Sequence, residues 1–226
     1  MAKTTKIAGL LFFLIVGHIT YGQTTFNYQD DFKKVLTKTK DENDSLSYNK
    51  LLKRFNSNDT TLSDFEVLAL LIGFTDKPQY KPYQDLDTER EIYKLNGENK
   101  YDAALSLGQK FITTHPLSEK TLFEIAYSFH KLNNEDSANY YLYRGRRIFK
   151  AMYFSGDGKS KETPTFVLGP ADGQDYIRKF IRADIGTMGS GKDNNGNFLD
   201  ILEAKFKDGN TMTLYFIIQH AAKKMF

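Results

Sequence analysis

The chain has no cysteine. That excludes disulfides, thiolate-bound zinc, iron–sulfur clusters, a thiol nucleophile and any lipid attached through Cys, so a bacterial lipoprotein is excluded with them. Tryptophan is absent too, and there are only five prolines. No hydrophobic run is long: IAGLLFFLIV at residues 7–16 stops at Gly17-His18, short of the roughly 20 apolar residues that cross a hydrocarbon core. Neither sign of charge dominates, with 31 Lys+Arg against 28 Asp+Glu. No two His stand four apart on a helical pattern, and there is no G-x-S-x-G elbow to expose a nucleophile. Cofactor none and metal none are the expectations that follow.

What is present fits a folded, soluble protein: 40% hydrophobic and 26% charged residues over 226 positions, enough for one domain or two small ones. Residues 1–22 read as a cleaved signal peptide. Lys3 and Lys6 make a basic start, the apolar run follows, and Thr20-Tyr21-Gly22 offers small residues before Gln23. Cleavage leaves 29 basic and 28 acidic residues, so nucleic-acid binding loses its compositional support. The expected location is periplasmic or secreted, with no transmembrane segment after cleavage.

Residues 23–154 read as helical. Phe32, Val35 and Leu36 share one face, and Leu51, Leu52 and Phe55 another. Ser63 and Glu66 form a capping box before FEVLALLIG, and Gly73 is placed to end that helix in the left-handed conformation. Pro78 and Pro82 in FTDKPQYKPY favour an extended path. Between residues 88 and 151, aligning Ala104 with Ala138 gives a 34-residue shift, the period of a tetratricopeptide repeat. Small residues (Ala104, Ala126, Ala138, Gly145) let paired helices approach while Leu and Phe fill the groove beside them. Residues 155–226 read as a β-rich tail packed on the helices as one compact unit. Residues 165–168 are a short strand candidate, 176–181 a short helix, and Asp208-Gly209 lies between two alternating runs as in a hairpin. The fold class is α+β: helices with tetratricopeptide-like hairpins, then a small C-terminal antiparallel sheet.

RFNSNDTTLSDFE (54–66), GFTDKPQYKPY (73–83), YFSGDGKSKETPTFVL (153–168) and FLDILEAKFKDGNTMTLYF (198–216) together carry a resemblance. The chain resembles a family of exported bacterial proteins known as a domain of unknown function, numbered forty-nine nineteen. It departs from that pattern at Leu70-Leu71, where aromatic residues are usual. The resemblance implies helical repeats followed by a β tail, and no activity.

Several strings invite chemistry. Gly186-Thr187-Met188-Gly189-Ser190-Gly191-Lys192 has phosphate-loop spacing, but Asp193 stands where Ser or Thr would hold magnesium, so a flexible glycine loop is the better account. Asp193, Asn195 and Asn197 alternate like a calcium loop, yet Phe198 and Ala204 occupy its Gly and Glu positions, which favours a turn. His115, His130 and His220 form no ligand set. The acid pairs Asp30/Asp31 and Glu89/Glu91 read as solvated charge, and Arg144, Arg146 and Arg147 as a basic cluster complementing a helix end. The one candidate interaction surface is Pro78, Tyr80, Pro82 and Tyr83 with Asp157, a stiff aromatic strap beside a glycine loop. The plainer reading is that both rings pack the strap onto the helices. Two functions stay open: a non-catalytic module binding an envelope protein, or a hydrolase of an envelope or dietary polymer using Asp157 and Glu162. Catalytic residues and oligomeric state are not assigned.

Overall fold

The computed structural model describes residues 26–225, and the signal-peptide reading of residues 1–22 lies outside them. Seven helices come first: α1 (Tyr28–Lys40), α2 (Tyr48–Asn56), α3 (Asp64–Phe74), α4 (Asp85–Gly97), α5 (Tyr101–Ile112), α6 (Glu119–Lys131) and α7 (Glu135–Ser155). Then come β1 (Thr165–Phe166) and a short helix α8 (Asp172–Asp175) that runs into a π-helical turn (Tyr176–Ile181). The strands β2 (Asp184–Lys192), β3 (Phe198–Lys205) and β4 (Thr211–Ile217) and a final turn α9 (Gln219–Ala222) complete an α+β chain. No described helix is long and apolar enough to cross a membrane.

α3 is the central helix. Its capping box is formed, with the Ser63 hydroxyl accepting from Glu66 N at 3.2 Å and the Glu66 carboxylate accepting from Ser63 N at 2.7 Å. From Val67 to Phe74 every residue is buried, so the helix has no polar face and must be enclosed all round; α1, α2 and α7 enclose it. Gly73 does not end it. It lies inside the helix, where an added Cβ would stand 3.0 Å from Thr39 and from the Tyr48 ring. Glycine is needed there for the close approach of α1 and α2.

The prolines after α3 do not give an extended path either. Lys77 N donates to Phe74 O and Tyr80 N to Lys77 O, both at 3.0 Å. Pro78 takes the second position of that last turn, which its fixed φ suits.

α4 to α7 carry the 34-residue shift into their turns. Asn99 and Asn133, 34 apart, hold positive φ of 60° and 58°. Lys100 N bonds Leu95 O and Asn134 N bonds Phe129 O, each at 2.9 Å. α4 is tied to α6 by buried Asn96, whose amide donates to Glu124 O at 3.0 Å and to its carboxylate at 2.9 Å, while Ser128 Oγ donates to Asn96 Oδ1 at 2.6 Å. α7 comes close to α6 at Gly145, where a Cβ would meet the Phe123 ring at 3.0 Å. The arginine cluster lies mid-helix, because α7 continues to Ser155. Arg144 is buried against Asn56 and the Phe55 ring, and Arg147 donates to Leu62 O. Those two arginines fasten α7 to α2 and the start of α3.

The sheet has the order β1-β4-β3-β2. β2, β3 and β4 are antiparallel, and β1 adds two residues parallel to β4, pairing Thr165 with Phe216. Residues 186–192 are not a loop: they lie in β2, with Gly189 opposite Ile201 and Lys192 opposite Phe198. An outer strand with no buried face needs only its backbone to pair, so glycines are tolerated there. β2 breaks register between Ile185 and Met188, where Thr187 N donates to Glu203 Oε2 at 3.0 Å. One apolar core runs without interruption from Leu51, Leu68 and Leu71 through Phe149 and Met152 to Phe166, Tyr176, Leu202 and Phe216. Each large side chain buried there contributes about 1.5–3 kcal/mol.

Candidate functional site

Polar groups gather where α4, α5 and α6 meet α8. The start of α4 supplies Asp85 and Glu89, the Ser118-capped start of α6 supplies Glu119 and Lys120, and α8 supplies Asp172 and Asp175. Asp85, Glu89, His115, Ser118, Glu119 and Asp172 line a cavity of about 40 Å³, space for roughly three waters.

Burial disfavours the charged forms of three of the cavity acids. Burial raises Glu89 above the ordinary carboxylate range, against a hydrogen bond from Ser118 Oγ at 2.7 Å. Burial raises Glu119 well above it, with Asp172, Asp175 and Glu89 adding repulsion. Burial and Glu89 push Asp172 to about 8, although Gly169 N donates to its Oδ2 at 2.8 Å. Glu119 Oε1 is buried with no hydrogen-bond partner among the described residues, which disfavours its charged form further. At the rim, His115 Nε2 donates to Gln79 O at 2.9 Å and lies 3.2 Å from Asp85 Oδ1. Burial opposes the imidazolium, but Asp85 outweighs it and the His115 pKa rises.

On the outer side a groove of about 440 Å³ is lined by Arg90, Tyr93, Lys120, Glu124, Asp175, Arg178 and Lys179. Asp175 stands between two ammonium groups, 3.6 Å from Lys120 Nζ and 3.5 Å from Lys179 Nζ. Burial disfavours the charge on Lys120, yet the acids around it, Asp175 first, raise its pKa. Tyr93 is 63% exposed at the edge of the groove. Cavity and groove are thus two sides of one wall: acids of raised pKa within, and a lining in which cations outnumber acids without.

The residues singled out in the sequence fall in three places. Tyr80 is buried, donates its hydroxyl to Leu168 O and lines the acid cavity with buried Pro82. Tyr83 is half-buried against the core, and Pro78 is exposed. Asp157 lies elsewhere, lining a depression of about 250 Å³ with Phe26, Tyr153 and Phe154. It accepts from Thr163 Oγ1 at 2.8 Å and Lys159 N at 3.1 Å, which ties down its own loop. Asp193 Oδ1 accepts from the backbone of Asn195 and Asn197, both at 2.8 Å, as a turn would. His220 is buried and its Nε2 bonds Val167 O at 2.7 Å.

Glu89 is a correction: it is buried, while Glu91 is exposed. Glu89, Ile92 and Asn96 form the buried stripe of α4, and that i, i+3, i+7 spacing was the available signal. Asp172 and Asp175 carried none, since a four-residue helix has too few positions to show a period.

A family model described as Domain of unknown function (DUF4919) matches residues 33–225. No curated protein and no solved structure matches the chain.

Proposed function

The chain belongs to the DUF4919 family, and on that premise we propose that it is a non-catalytic interaction module of the cell envelope. In this reading the export signal at residues 1–22 delivers it, α4 to α7 are tetratricopeptide-like hairpins, and the helices and β tail act as one unit. The partner sits in the groove between α4, α6 and the π-helical turn. The groove is the observation that carries it: about 440 Å³, open, with Tyr93 and four cationic side chains at its walls, within the range of roughly 300–1,000 Å³ usual for ligand pockets.

The test is capture of partners from envelope extracts by the wild type and by Tyr93→Asp. A protein retained by the first and lost by the second supports the reading; identical capture profiles refute it. N-terminal sequencing of the envelope fraction checks export, with Gln23 expected first.

The hydrolase reading keeps one support, the pKa values of Glu119 and Asp172 raised by burial beside a cavity. A cavity of about 40 Å³ is filled by a few waters and has no space for a sugar ring, which favours binding over hydrolysis. The loop acids are otherwise engaged: Asp157 holds its own loop through Thr163 Oγ1, and Glu162 accepts from Asn194 Nδ2 of the β2–β3 turn at 3.2 Å.

A further inference from the structure

We propose that the groove is a receptor for an acidic peptide segment of a partner protein, whose carboxylates are gripped by Lys120, Lys179 and Arg178. This rests on the interaction reading above and adds the ligand's chemistry to it.

The first ground is a set of donors without hydrogen-bond acceptors, although Lys179 Nζ lies 5.0 Å over the Phe123 ring. Asp175 is the nearest acid to both lysines, yet at 3.5 and 3.6 Å it is beyond the ordinary length of a charge-assisted hydrogen bond. Neither ammonium donates a hydrogen bond among the described residues, and Asp175 Oδ2 accepts none. Lys120 is only 18% exposed at its side chain, so water can solvate it from the groove side alone. Each ammonium carries three donors, and a carboxylate entering the groove satisfies both at once. Arg178 has no ion-pair partner among the described residues, and Arg90 has only an exposed contact with Asp87 at 3.5 Å.

The second ground is the balance of charge. Four cations face two acids, Glu124 and Asp175, so the lining is net positive but interrupted. A dense phosphate chain would be repelled by the two carboxylates, whereas acidic side chains spaced along a peptide can reach the ammonium groups between them. Tyr93 adds an exposed aromatic wall of the kind that holds peptide side chains. Behind the wall, burial raises the pKa of Glu89 of α4, Glu119 of α6 and Asp172 of α8, which weakens their hold on the lysines, although they still add to the pull of Asp175 on Lys120. The other charged groups lining the cavity and the groove are Asp85, Arg90, Glu124 and Asp175, with His115 at the rim.

The experiment is fluorescence anisotropy with a labelled glutamate hexapeptide on the mature chain, competed by inorganic phosphate and by a lysine hexapeptide. The wild type is expected to bind, less tightly as salt rises. Lys179→Gln and Arg178→Gln each weaken binding roughly tenfold with an unchanged melting temperature, while exposed Lys207→Gln leaves it unaltered. No binding at about 1 mM protein, or wild-type affinity in Lys179→Gln, overturns the proposal. So does phosphate displacing the peptide at equal concentration, which would mark a plain anion site. The two readings fail separately. A partner lost on Tyr93→Asp without hexapeptide binding keeps the module and removes the acidic ligand; hexapeptide binding without any captured partner does the reverse.

Discussion

Burial acts on ionisable groups in opposite directions at two places in the molecule. At the seam of α4, α6 and α8 it raises the pKa of acids and so favours their protonated forms. Beneath the sheet it keeps a base unprotonated: His220 stacks 4.5 Å from Phe166, with Phe32 at 5.7 Å and Tyr28 at 5.9 Å, and burial depresses its pKa to about 3. Tyr80 touches both regions, its ring 6.3 Å from His220 and its body on the cavity wall. Each region sheds charge because the interior solvates ions poorly. The consequences for the protein differ in sign.

For His220 the folded pKa lies below the unfolded one, so its contribution is present above pH 6.5 and is lost as pH falls toward 3. For Asp172 the folded pKa lies above the unfolded one, so its contribution is present below about pH 4 and is lost as pH rises through about 8. Acid therefore threatens the nest under the sheet, and base threatens the seam.

The strongest way to break this contrast is Phe166→Ala. It removes a fully buried ring from the nest and is expected to cost about 3–5 kcal/mol; it should also let water reach His220, moving acid unfolding to higher pH in a denaturant series. Next is Asp172→Asn, which removes the ionisation at the seam and keeps an oxygen for Gly169 N. Stability at pH 8 is expected to rise by roughly 2 kcal/mol relative to wild type, with the difference vanishing near pH 4; a parallel offset at both pH values would contradict it. His115→Gln tests the rim. Its raised pKa means that the pairing with Asp85 stabilises at low pH and fades as pH rises, so the variant should lose about 0.5–1 kcal/mol at pH 5 and less at pH 8. The smallest difference from any pH effect is Ser63→Ala, a control outside both regions that removes the cap of α3 and costs about 1 kcal/mol at every pH tested.

The helices were legible because their signals are local. Ser63 and Glu66 gave the start of α3, and Asp208-Gly209 gave the β3–β4 hairpin, where Gly209 holds φ of 87°. β2 was misread because glycine carries no strand preference, and β3 alone decides its conformation. Gly73 was misread because a helix stop and a close packing contact look the same in one sequence. The seam was almost invisible for a similar reason. Glu89, Glu119, Asp172 and Asp175 come from three elements far apart in the chain, and only folding makes them neighbours.

The central claim is that burial at the seam raises the pKa of its acids, so that Lys120 and Lys179 present more of their charge to the groove. The most direct measurement is the carboxyl ¹³C titration of Asp172 in labelled protein. The account predicts a midpoint near pH 8, against about 3.9 for a free aspartate. A midpoint in the free-aspartate range would mean an ionised seam, and the charge separation across the wall would not exist.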